Sequence, residues 1–234
     1  MTKTPLSRLI LIAVVIFVLI GTKNQLFVIQ RVKDTVKTIE NTIPDNDGGG
    51  NSNNTVKKVH SPEVMEYFNE VVMNTEFDGS RSNAFKWKKD MKIYVEGEYS
   101  SELNSELDRI VGELNEIINT IEIEVVTNRS EANMFVYFGT PEGYNYNHPG
   151  VSRSRLESNW GYFLVDSKGG SMYVDLYRAN DQEQKHLLRE ELTQSLGLFN
   201  DSNKYPESIF YQDWTTTTEY AQIDRELIDM LYNE

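Results

Sequence analysis

The chain contains no cysteine. That removes disulfides, thiolate nucleophiles, cysteine-ligated zinc, iron–sulfur clusters and the lipid-bearing cysteine of a bacterial lipoprotein. Histidine is nearly as scarce: His60, His148 and His186 are the whole supply, so a centre built on imidazole ligands has almost nothing to use. Basic residues are outnumbered, 23 Lys and Arg against 36 Asp and Glu, and the net charge of −13 disfavours nucleic acid as a partner by long-range repulsion. Also missing are a glycine-rich phosphate loop, a nucleophile elbow and an EF-hand spacing. What is present is ordinary for folded protein. At 234 residues, 39% hydrophobic, 25% charged and 11% aromatic, the chain holds one globular domain with accessory segments, which excludes wholesale disorder and a two-domain enzyme.

The N-terminus carries the one long apolar run, LILIAVVIFVLI from Leu9 to Ile20, behind Lys3 and Arg8. A basic stretch followed by an apolar run is a targeting or membrane segment, and residues 9–20 are the expected membrane contact. No small-x-small cleavage site follows in Gly21, Thr22, Lys23 and Asn24. Residues 1–22 are therefore read as an uncleaved signal anchor, with a cleaved signal peptide and a secreted product as the alternative. Lys3 and Arg8 orient the rest of the protein outward, although Lys23, Arg31 and Lys33 weaken that vote. In residues 23–43, Ile29, Val32, Val36, Ile39 and Ile43 recur at helical a/d spacing, which gives a juxtamembrane helix. It serves either as a short coiled coil for self-association through residues 29–43 or as a single surface helix. Pro44 ends it, and the Gly, Asn and Asp content of residues 44–60 marks a flexible linker. Eight basic and four acidic residues lie in 1–60 and 15 and 32 in 61–234, so the domain that follows carries −17.

Residues 61–234 have the patterning of a folded unit. Ser61-Pro62-Glu63 places an N-cap serine before a proline in the first helical position, and Val64, Tyr67, Phe68, Val71 and Val72 keep helical spacing. MKIYVEG (91–97) reads as a strand, residues 100–120 as a long amphipathic helix, IEIEVVT (121–127) and NMFVYFG (133–139) as further strands. GYFLVD (161–166) and SMYVDLY (171–177) flank Ser167-Lys168-Gly169-Gly170 and predict a hairpin. A helix is expected over 181–197 and a last one from Gln222. The order gives an α+β domain: a mixed sheet with an antiparallel edge hairpin, packed against helices.

Chemistry, where there is any, belongs to HLLREELTQSLGLFND (186–201). On a helix, Leu188, Leu192 and Leu196 make a core stripe, His186, Glu190, Gln194 and Gly197 fall together on another side, and Glu191 points away from both. A bend at Gly197 would bring Asn200 or Asp201 back toward Glu190 and Gln194. As adjacent residues Glu190 and Glu191 should diverge rather than share a substrate atom, and Glu190 has an alternative use in ion pairs with Arg189, Lys185 or Arg225. TPEGYNYNHPG (140–150) reads as a loop with His148 available as a ligand, and SRSRLESN (152–159) as a segment offering Arg153 and Arg155 to an anion.

The spacing Glu190-Glu191-x-x-Gln194-x-x-Gly197-x-x-Asn200 resembles the H-E-x-x-H-x-x-G-x-x-H motif of metzincin zinc proteases. The general-base glutamate (Glu191) and the glycine (Gly197) are kept, and all three metal-histidine positions are replaced. Tyr205-Pro-Glu-Ser208-Ile209-Phe210-Tyr211 is similar to the Met-turn with Phe210 in the methionine position. The chain resembles more closely the DUF2927 family of uncharacterised bacterial secreted or membrane-attached proteins. That resemblance rests on Tyr67-Phe68, Glu76-Phe77, Lys86-Trp87, Ala132-Asn133, the run Glu190 to Asp201, Ser208-Ile209-Phe210, and the ending from Ile223-Asp224 to Leu231-Tyr232.

Together these resemblances imply a zincin-like domain with a degenerate active-site helix. Glu191 is the candidate general base, and Glu190, Gln194, Asn200, Asp201 and His186 are the candidate metal ligands. An oxygen-rich set of this kind suits a divalent Ca²⁺, Mg²⁺ or Mn²⁺ better than Zn²⁺, and its low charge is meagre for any of them. The preferred expectation is no cofactor and a non-catalytic binding or scaffold role outside the membrane, with a protein or cell-envelope polymer as ligand and no nucleic acid. The alternative is a metal-dependent, peptidase-like hydrolase working through Glu191.

Overall fold

A computed structural model describes residues 60–72 and 84–233. The chain divides into two units at Lys57/Lys58, and every described residue lies in the second. The anchor (1–22), the juxtamembrane helix (23–43) and all but the last residue of the linker fall outside the described residues. Among the described residues no helix is long and apolar enough to cross a membrane.

Helix α1 (Pro62–Val72) starts as its cap predicts, with the Ser61 Oγ accepting from the Val64 N–H at 3.3 Å. It buries Tyr67, Val71 and Val72. Strand β1 (Met91–Gly97) leads to α2 (Ser101–Ile117), whose Leu103, Leu107, Ile110, Val111 and Leu114 form the expected apolar stripe. Its N-cap Ser100 accepts from the Leu103 N–H. Strand β2 is shorter than its apolar pattern, Ile123–Val125 only. Asn115 of α2 clamps it, donating to the Ile123 carbonyl at 2.7 Å and accepting from its N–H at 2.9 Å. Strand β3 (Met134–Gly139) and the hairpin strands β4 (Gly161–Asp166) and β5 (Gly169–Asp175) complete a five-stranded sheet in the order β2-β1-β3-β5-β4. β2, β1, β3 and β5 run parallel, and β4 lies antiparallel to β5 as an edge. The Asp166 Oδ1 holds the hairpin turn by accepting from the N–H groups of Lys168 and Gly169.

Side chains alternate across this sheet, as the pleat requires. Val136, Phe138, Met172 and Val174 join the main core with α2, α5 (Asp181–Gln194) and α6 (Gln222–Asn233), while Tyr137 and Tyr173 form a smaller cluster with Tyr144, Val151 and Leu156. That second cluster exists because 140–150 and 152–159 are not plain loops. They contain α3 (Pro141–Asn147) and α4 (Arg153–Ser158). Thr140 caps α3 by accepting from the Gly143 N–H, and Pro141 opens it, a start signal hidden by the Gly, Tyr and Asn that follow. The Tyr144 hydroxyl then bonds Ser171 of β5 at 2.8 Å.

Helix α5 is fastened to α2 by charge. Arg189 is fully buried and bonds Glu113 at 2.8 Å and Glu106 at 3.3 Å, with its guanidinium 4.3 Å from the centre of the Tyr220 ring. Arg109 grips the same two carboxylates from the solvent side at 2.6 and 2.9 Å. Removing one member of a buried set leaves its partners desolvated and unpaired. Arg189→Leu should therefore lower the unfolding free energy by about 3 kcal/mol, read from urea denaturation. A loss under about 0.5 kcal/mol would show that Arg109 alone satisfies both glutamates.

Candidate functional site

Asn180 begins α5 with a capping box, its side chain accepting from the Gln182 and Glu183 N–H groups while Glu183 returns a bond to its backbone. The helix ends at Gln194, and Gly197 turns the chain at φ +123°. A side chain there would run into the Phe85 carbonyl oxygen, so glycine is required both by the dihedral and by the close approach. The bend separates the two residues expected to return. Asn200 goes to α1, its backbone N–H and side-chain amide donating to the carbonyls at the helix end, Val71 at 3.1 Å and Glu70 at 3.2 Å. Asp201 returns to α5, accepting from the Gln194 Nε2 at 2.6 Å.

Beside this bend lies a cavity of about 600 Å³, lined by His186, Glu190, Glu191, Gln194 and Asp201 and by residues of the β4 edge and the 211–215 segment. Trp160 and Trp214 stand over it edge to face, with ring centroids 5.2 Å apart. Of the five candidate metal ligands, four meet here and Asn200 does not. Glu190 and Glu191 do not diverge to separate uses, because the end of α5 abuts the edge strand and both face the one cavity. Glu190 pairs with none of the three cations proposed for it, and its partner is His186, with Nε2 3.3 Å from the carboxylate. The other ring nitrogen, Nδ1, donates to the Thr217 carbonyl at 2.7 Å. Burial alone would push the imidazole pKa down, but Glu190 and Thr217 together hold it above the usual histidine value.

Glu191 is different. It is 9% exposed, and its carboxyl has no hydrogen bond or ion pair with any described residue. Gly161 of β4 makes room for it: a Cβ at that position would lie 2.5 Å from Glu191 Oε1. Burial, then the like charges of Glu190 and Asp201, raise the Glu191 pKa well above the ordinary carboxyl range. Asp201 is raised to about 6 by burial of its carboxyl and by Glu190, against the opposing pull of Gln194 and His186. Its surface as a whole is exposed, so the shift belongs to the carboxyl's position at the cavity floor and solvent screens part of it.

The zinc of a metzincin does not fit this donor set. Both nitrogens of His186 are engaged, Gln194 and Asp201 are spent on one another, and the Asn200 amide faces α1. Among the described residues no group of three or more His, Asp or Glu side chains is arranged to hold a metal ion. His148 bonds Glu96 at 2.7 Å away from this cavity, and Arg153 pairs with Glu157 at 2.6 Å. Sequence reasoning missed Gly161 and the two tryptophans, which lie outside any periodic pattern. Adjacency to the predicted hairpin was the one signal that pointed to Gly161.

A carboxyl whose folded-state pKa is raised holds its proton more tightly when folded, so its contribution to stability is complete below the unfolded pKa and is lost as pH rises through the folded one. Glu191→Gln should therefore be more stable than the native chain by about 1–2 kcal/mol at pH 8. The advantage should fade below about pH 4, as urea midpoints across that range would show. A pH-independent difference would contradict the placement of Glu191. Gly161→Ala should cost about 1–3 kcal/mol through overpacking, and most of that loss should disappear in a Glu191→Ala background if the two side chains compete for the same space.

In overall structure the chain is similar to two solved structures of myroilysin, with TM-scores of 0.43 and 0.40, 10% and 11% identity, and coverage of 75% and 64% of this chain and 98% and 96% of theirs. It is also similar to high choriolytic enzyme 1, a hatching enzyme zinc-protease from Oryzias latipes (medaka fish), at a TM-score of 0.36 and 15% identity over 67% of this chain and 98% of that one. No curated protein matches the sequence. The profile of DUF2927, described as a protein of unknown function, matches residues 61–158 and 170–234, and with most of its length covered the chain belongs to the DUF2927 family.

Proposed function

We propose that residues 61–234 form a non-catalytic binding domain with a degenerate metalloprotease-like site, held outside the membrane by the segment at 1–22. The observation that carries this is the fate of the former ligand positions. Glu190, Gln194 and Asn200 each have a partner within the protein, so the helix has exchanged metal coordination for internal hydrogen bonding. What the cavity offers a ligand is the free Glu191 carboxyl, a paired Glu190 and Asp201, and the faces of Trp160 and Trp214. Its complement is a protonated amine, which a carboxyl-rich floor attracts and aromatic faces stabilise. A basic side chain of a protein, or an amine on a cell-envelope polymer, supplies one.

A second reading, a metal-dependent hydrolase with Glu191 as general base, is favoured by that carboxyl's lack of a partner. It requires His186, Glu190 and Gln194 to give up their present bonds. Elemental analysis of the purified full chain, with hydrolysis assays on peptides and cell-wall polymer, separates the two. Sub-stoichiometric metal is expected, with no cleavage by either the native chain or Glu191→Gln. In a tryptophan fluorescence titration, oligolysine should quench saturably and acetylated oligolysine should not. Stoichiometric metal with cleavage lost in Glu191→Gln would overturn the binding assignment.

A further inference from the structure

The second site is basic, although the domain around it is acidic. A cavity of about 650 Å³ lies between the segment 84–89, just before β1, and the turn of the β4–β5 hairpin. Its lining includes Lys86, Lys88, Lys89 and Lys168. The gathering is selective. Of the described cations in this domain, Lys92, Arg109, Arg129, Arg153, Arg178, Arg189, Lys204 and Arg225 are ion-paired. The six described cations with no ion pair are these four lysines, Arg155 and Lys185, so four of those six line one cavity. Lys86 is spent on the Leu231 carbonyl at 3.1 Å, which leaves Lys88, Lys89 and Lys168 free and exposed.

The walls that present them are fixed. On one side the Trp87 indole donates to the Ser195 carbonyl at 2.9 Å and the Trp87 N–H donates to the Tyr232 hydroxyl. On the other, Asp166 closes the hairpin turn around Lys168. Asn133 joins the two, its amide donating to the Asp90 carbonyl at 2.8 Å and its carbonyl accepting from the Gly170 N–H at 2.9 Å. Lys86-Trp87 and Asn133, from sequence features that the acidic cavity leaves unexplained, therefore both help build this one. Among the described residues Asp166 is the single carboxylate in the lining, and its Oδ1 already accepts two backbone N–H bonds.

Three lysines without an ion pair line one cavity from two hydrogen-bonded walls, against the average field of a domain of −17. Such an arrangement is retained where an anion neutralises it, and lysine serves a phosphate as a compact point charge. We propose that this cavity binds a phosphate group, carried either by a lipid headgroup or by a soluble phosphoester, with Lys88, Lys89 and Lys168 as its contacts. The assignment does not rest on the reading of the acidic cavity.

Calorimetric titration of the full chain in neutral detergent tests it, with inorganic phosphate, glycerol 3-phosphate and micelles doped with phosphatidylglycerol as probes. Saturable binding to at least one probe is expected, weakening with added salt. Lys88→Gln/Lys168→Gln takes one cation from each wall and should weaken that binding by about tenfold or more. Arg155→Gln/Lys185→Gln makes the same change in net charge outside the cavity and should leave it within about twofold. Binding to doped micelles alone identifies a lipid headgroup as the source, and binding to the free phosphates identifies a soluble phosphoester. No saturable binding by the native chain, or equal weakening in the two double variants, overturns the proposal.

Discussion

Almost no side chain of the run from His186 to Leu198 reaches solvent, and this burial drives most polar groups on it to a partner inside the protein, the Arg189 Nε being left without one. Arg189 takes Glu106 and Glu113, Thr193 takes the Arg189 carbonyl and the Tyr220 hydroxyl, Ser195 the Leu192 carbonyl, His186 the Thr217 carbonyl, and Gln194 the Asp201 carboxylate. These bonds tie the helix to α2, to the segment before α6 and to its own outgoing turn. They also decide what the site can do. Polar side chains left unpaired in so buried a run would be costly, and the helix avoids most of that cost by satisfying them locally. Glu191 is the carboxyl left outside this scheme, and it is the one that faces the cavity beside Gly161.

The parts of the fold readable from sequence are those where a local signal and the tertiary demand coincide. Ser61-Pro62 starts a helix, the alternating run at 91–97 pairs in the sheet, the 3.6-residue stripe of α2 meets the core, and the hairpin forms around Ser167-Lys168. Where the two diverge, tertiary context prevails. Residues 121–127 alternate like a seven-residue strand, but only Ile123–Val125 pair in register with β1, flanked by single backbone bonds from the Met91 N–H to the Glu122 carbonyl and from the Val126 N–H to the Ile93 carbonyl, and the ladder stops there. Residues 141–147 are poor in helix formers, and the helix they form is held by its Thr140-Pro141 start and by Tyr144 reaching the second cluster and Ser171.

The site shows the same division at finer scale. Helical spacing correctly gathers His186, Glu190 and Gln194 on one side, since that depends only on a turn of about 100° per residue. Spacing says nothing of what approaches from elsewhere. It could not choose between Asn200 and Asp201, because the choice depends on where α1 ends: the exposed carbonyls of Glu70 and Val71 need donors, and Asn200 carries an amide that can supply them whereas Asp201 does not. Nor could it foresee Glu191 sharing the cavity, which follows from the absence of a side chain at Gly161 on the facing strand.

Net charge is the quantity that changes meaning most. A value of −17 for the domain describes a field felt from far away, where it repels polyanions. Within the protein, Gly161 and Asp166 mark the two ends of β4, and the acidic cavity lies at the first while the lysine cavity lies at the second. Six residues of strand at about 3.3 Å each put those ends roughly 17–20 Å apart. That is about twice the screening length of roughly 8 Å at physiological ionic strength. Each cavity therefore presents the sign of its own lining to a ligand at contact, carboxyls at one end of the edge strand and lysines at the other.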